Sequence, residues 1–180
     1  MNSEEPFIDK MIRWMKHDVK VCMDNDAYVG AMKLMMNDIS ALAGFYAGRN
    51  TPKPSPPITD EIEFMNFFDN YFKVLNALPH SIILKPVQGM KVINLIYTHF
   101  RCGLIHEHLM KNGTAIDKRG DNEYLYLTQG GITININCLY NDYLKTLEEY
   151  YSDVKNKNKL NVQENFIKRA EYLGAYQPYI

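Results

Sequence analysis

An arginine and a histidine stand five residues apart, Arg101 and His106, within an apolar stretch running from Ile93 to His108. An imidazole takes and gives protons near neutral pH, and a guanidinium stays charged and stabilises an anion that develops beside it. On an α-helix His106 falls about 140° round from Arg101 and roughly 7–8 Å along the axis, so one helix cannot close both groups on one small ligand. A second copy of the helix could complete such a site. The same segment offers a rival chemistry, because His99, Cys102 and His106 fall at i, i+3 and i+7, within about 60° of one another, and imidazole and thiolate suit zinc. Only three ligands would come from this helix, adjacent turns rarely converge on one ion, and the chain has no Cys-x2-Cys pair, so neither a metal nor another cofactor is expected. The plain structural use of the pair is an arginine held by an acid and a histidine satisfied in a helix interface.

The element that must carry these residues is a helix. Ile93, Ile96, Phe100, Leu104 and Leu109 recur at spacings of three to five, with Tyr97 and Ile105 widening the stripe, which argues for a helix buried along one side. It should run to about Lys111 and close at Asn112-Gly113, where either residue tolerates the left-handed conformation. Glu107 and His108 lie beside the pair and could orient His106 or face water.

The run Arg101-Cys-Gly-Leu-Ile-His106 resembles the Arg-x(4–6)-His signature of the HEPN superfamily, the higher eukaryotes and prokaryotes nucleotide-binding domains. The resemblance implies a small all-α bundle with the motif on a late helix. It also implies a homodimer in which the Arg and His residues of two protomers face each other across a cleft, and metal-independent endoribonuclease activity. In that chemistry His106 takes the proton of a ribose 2′-hydroxyl while Arg101 stabilises the scissile phosphate, leaving a 2′,3′-cyclic phosphate and a 5′-hydroxyl. Arg101 and His106 are then the catalytic residues, with His99, Cys102, Lys118 and Arg119 as neighbouring candidates for substrate binding. The residue after the arginine is often Asn, Asp or His in active members. Here it is Cys102, which favours the alternative, a non-catalytic helical dimer whose cleft holds a nucleotide or a partner protein.

Composition is compatible with either reading. A length of 180 residues suits one domain with a full core, 1–180, and makes a second core a squeeze. Hydrophobic residues make up 46% and charged residues 23%, the balance of a globular chain. No apolar run approaches the ~18–20 residues of a membrane span. The start, Met1-Asn-Ser-Glu-Glu-Pro6, is acidic where a secretory signal would be basic and then apolar, so a cytoplasmic location is expected. Three widely separated cysteines, Cys22, Cys102 and Cys138, suit a reducing compartment better than a disulfide framework. With 20 basic and 21 acidic residues the formal net charge is −1, so any contact with RNA must be local.

The remaining elements follow from periodicity. Ser3 can cap a first helix in which Phe7, Met11, Met15, Val19 and Met23 step by four, with Lys10, Arg13, His17 and Lys20 forming a basic stripe beside them. Asp24-Asn25-Asp26 can cap a second, buried through Tyr28, Ala31, Leu34, Met35, Leu42 and Tyr46, and the two should form a hairpin. Near its end Gly44 and Gly48, four apart, predict a tight helix crossing. Thr51 to Pro57 holds four prolines and predicts an extended surface loop. Thr59 or Asp60 caps a third helix with Ile62, Met65, Phe68, Phe72 and Leu75 inward, stopped at Leu78-Pro79-His80. Beyond the motif helix, Thr114 to Asn122 reads as a polar loop carrying Lys118 and Arg119. A β-hairpin is predicted over 123–137, turning at Gly130-Gly131, with Ile132, Ile134 and Ile136 alternating with Thr133, Asn135 and Asn137. A helix through Leu139, Tyr143, Leu147, Tyr151 and Val154 follows, and Asn161 can cap a last one that ends at Gly174. The expected architecture is mostly α, a HEPN-like bundle of five or six helices with one appended hairpin.

Overall fold

The computed structural model describes residues 5–53, 59–73, 92–104, 114–128, 131–175 and 178–180. Several sequence expectations fall outside them: the Ser3 cap, the prolines from Pro54 to Pro57, Leu75, the stop at Leu78-Pro79-His80, the segment from Ile105 to Gly113, His106 included, and Gly130. The described chain is mostly helical. Helices α1 (Phe7–Asp24), α2 (Tyr28–Tyr46) and α3 (Asp60–Tyr71) come first, then a short α4 (Val92–Leu95) that runs straight into a π-helical turn, Ile96–Arg101. Three strands, β1 (Thr114–Asp117), β2 (Leu125–Thr128) and β3 (Gly131–Asn135), precede α5 (Ile136–Lys155) and α6 (Leu160–Tyr172). No helix among the described residues is long and apolar enough to cross a membrane.

The α1/α2 hairpin forms as the two stripes require, with Met11, Val19 and Met23 of α1 and Ala31, Met35 and Leu42 of α2 buried. The expected cap of α1, Ser3, lies outside the described residues. Among the described residues no side chain caps α1; Pro6 occupies the cap position, and the amides of Phe7 and Ile8 donate to the carbonyls of Pro178 and Tyr179 at 2.8 and 3.1 Å. The C-terminal segment thus satisfies donors that an α-helix start always leaves open. Nor does a side chain cap α2: Ala27 holds the cap position, and Asp26 turns the corner with φ of 55°, a conformation that aspartate tolerates better than most residues.

Helix α2 is the axis of the molecule and packs against α1, α3, the π turn, α5 and α6. The close approach expected near its end occurs at Gly48, which has φ of +62° and would place a Cβ 2.5 Å from Asn165 Oδ1 on α6. Asn165 Nδ2 donates to the Tyr46 carbonyl at 2.8 Å, so the small residue and the amide together lock α6 onto the end of α2. Gly44 instead accommodates the chain's own Arg49.

Thr59 caps α3, its side chain accepting from the Ile62 amide, a contact that contributes on the order of 1 kcal/mol. The inward face of α3 is Phe64, Phe67, Phe68 and Tyr71 rather than one centred on Ile62, which is 41% exposed. The aromatic residues win that face because they stack on one another and on Tyr97 and Tyr150. Glu63 is buried and pairs with Arg49 Nε at 3.4 Å, while Arg49 Nη1 holds Asp60 at 2.8 Å. Burial pushes the Glu63 carboxyl up, and Arg49 pulls it back down.

The β-region departs from a lone hairpin. β2 and β3 pair antiparallel, as the expected hairpin requires, but Gly131, expected in the turn, is the first residue of β3 and pairs with Thr128, which sets Leu125 opposite Ile134; Thr114–Asp117 is a strand rather than a loop and pairs parallel to the other side of β3. The register puts Ile116, Ile134 and Leu125 in one row. A two-stranded ribbon is marginal in water, and the third strand covers the free edge of β3. Ile136 and Asn137 belong to α5, which starts after Asn135. Asn135 is fully buried: its Oδ1 accepts from the Asn137 amide, and its Nδ2 donates to the carbonyls of Asp121 and Glu123, both at 3.1 Å. Asn137 Nδ2 donates to the Arg119 carbonyl at 2.8 Å. The polar residues that looked like an outer strand face therefore strap the loop before β2 to the start of α5. At the far end Lys159, not Asn161, holds the cap position of α6, and Gly174, with φ of +68°, ends that helix as the sequence indicated.

Candidate active site

The segment carrying Arg101 differs from a plain α-helix. From Ile96 to Arg101 the backbone closes its hydrogen bonds over five residues, and the Cys102 amide still donates to the Tyr97 carbonyl. Ile96, Phe100 and Leu104 are buried. Residues four apart keep facing the core whether a turn closes over four or five residues, so the apolar stripe accommodates this winding. π turns inside α-helices are rare and recur at functional sites.

Arg101 is half-buried and its guanidinium is oriented from three sides. Nε donates to Ser40 Oγ on α2 at 3.4 Å, Nη1 lies 3.9 Å from Cys102 Sγ, and the guanidinium stands over the Tyr97 ring at 5.2 Å. Ser40 is itself fixed, donating to the Met36 carbonyl at 2.8 Å. Burial pushes the Tyr97 hydroxyl up to about 12, with the neighbouring Arg101 charge acting the other way, so Tyr97 stays neutral and serves as a stacking surface. The arrangement is a cation held in fixed orientation at a half-exposed position, which is what an anion-binding or transition-state-stabilising arginine requires.

His99 and Cys102 are half-buried on the same turn. Less winding per residue in a π turn moves residues three apart further round the axis than an α-helix would, so the shared face computed for a regular helix is spread. Among the described residues no group of three His, Cys, Asp or Glu side chains is placed to hold a metal ion.

Lys118 and Arg119 follow β1 and have other partners. Lys118 Nζ donates to Asp26 at 3.2 Å and lies over the Tyr28 ring, and the hydrogen bond with Tyr28 raises the ammonium above its usual range. Tyr28 opens α2 and Ser40 lies twelve residues further on, about 18 Å along the helix axis, so within one chain Lys118 and Arg101 are anchored at distant points of α2. Arg119 covers the Tyr126 ring at 3.4 Å and pairs with Asp117 at 3.5 Å, while the Tyr126 hydroxyl donates to the same carboxylate at 2.9 Å. These contacts close the outer face of the sheet.

Ser40 was not readable as part of this site. It stands 61 residues before Arg101, and a serine in an apolar helix carries no signal of its own beyond the small-residue context that lets an arginine approach. Comparison with known proteins adds no relative: no protein-family model, curated protein or solved structure matches the chain.

Proposed function

We propose that this chain is a HEPN-like, metal-independent endoribonuclease whose active site is completed by two protomers, each contributing Arg101 and His106. The observation that carries the reading is the oriented guanidinium of Arg101, pinned by Ser40 and stacked on Tyr97 within a π turn. In this reaction the His106 imidazole removes the 2′-hydroxyl proton, the 2′-oxygen attacks the adjacent phosphorus, and the 5′-oxygen leaves with a proton returned by the second histidine of the dimer. Arg101 stabilises the charge that builds on the non-bridging oxygens. A mostly helical fold in which Ile96, Phe100 and Leu104 are buried on the segment that carries Arg101 supports the same reading.

A two-fold dimer with the Arg101–His106 segments adjacent is part of the proposal. Incubating the purified protein with single-stranded and structured RNA in EDTA tests the function, with 2′,3′-cyclic phosphate ends as the expected product. Absence of cleavage, or a monomer at micromolar concentration in sedimentation, would overturn the composite site. The second reading, a non-catalytic dimer that binds a nucleotide or a partner protein, is favoured by Cys102 next to the arginine and by the near-zero net charge. Cys102→Asn separates the two: a gain in cleavage marks a genuine ribonuclease site that the cysteine weakens.

A further inference from the structure

We draw no further inference here: the strongest candidate, the outward face of α1 on which Trp14 and Val21 stand exposed, carries nothing, because the cations beside it, Arg13 and Lys20, are paired with Glu5 and Asp24 and nothing in the structure shows what covers it.

Discussion

Arg101 Nε donates to Ser40 Oγ at 3.4 Å across the contact between the π turn and α2, and this joins the motif's arginine to the helix on which most of the fold is packed. Ser40 keeps its own bond to the Met36 carbonyl, so its oxygen is held ready to accept. It acts as a positioning residue for the guanidinium.

Ser40→Ala should therefore cost the fold no more than about 1 kcal/mol, the net worth of an ordinary hydrogen bond, and lower RNA cleavage about tenfold through kcat with KM little changed. Parallel urea melts and initial-rate measurements separate the two effects. Cleavage equal to wild type would remove Ser40 from the site.

The C-terminal segment caps α1 from outside the helix. Deleting residues 178–180 removes the acceptors of the Phe7 and Ile8 amides together with the packing of Tyr179 and Ile180 against the core. Two net hydrogen bonds at ~0.5–1.5 kcal/mol each predict a loss of about 1–3 kcal/mol before packing is counted. Amide hydrogen exchange should show Phe7 and Ile8 losing protection first, and unchanged protection there would contradict the cap.

Asp38 on α2 introduces a pH dependence. The Tyr143 hydroxyl of α5 donates to its carboxylate, yet burial dominates and pushes the carboxyl from 3.8 up to about 6, with Asp18 adding to the rise. The folded state therefore holds this proton at pH values where the unfolded chain has released it. Stability from this group is full below the unfolded value, falls as pH rises between the two, and is gone above about 6, a difference on the order of 2–3 kcal/mol. Asp38→Asn keeps an acceptor for Tyr143 and should flatten that dependence, stabilising the protein at about pH 7 and leaving it no more stable than wild type at about pH 4. Chemical denaturation across that range checks it; parallel profiles for the two proteins would rule the group out.

Much of this organisation was legible in the chain itself. The stripes of α1 and α2 are regular because each helix buries one face, and the β2–β3 hairpin shows in alternation, though not its register, which is offset because Gly131 pairs with Thr128 instead of turning. β1 was hidden because Thr114-Ala-Ile-Asp117 is four residues long and its parallel partner lies outside local sequence. Asn135 and Asn137 misled for a related reason: a buried amide bonded to carbonyls more than ten residues away reads like a solvent-facing strand position. The π turn left no mark, since the same spacing of Ile96, Phe100 and Leu104 serves either winding. Arg101 stood out as a charge on an apolar helix, while the role of Ser40 depends on a contact between distant helices that no local pattern encodes.

The proposal of a composite site is tested most directly by single-turnover cleavage of a labelled RNA in EDTA by wild type, Arg101→Ala, His106→Ala and the double variant, with the ends identified chemically. Residues that act as one unit are strongly non-additive, so each single variant should abolish cyclic-phosphate production, the double should be no worse than either, and all should remain dimeric. Retained cleavage in both single variants, or a wild type that produces no cyclic-phosphate ends, would contradict it.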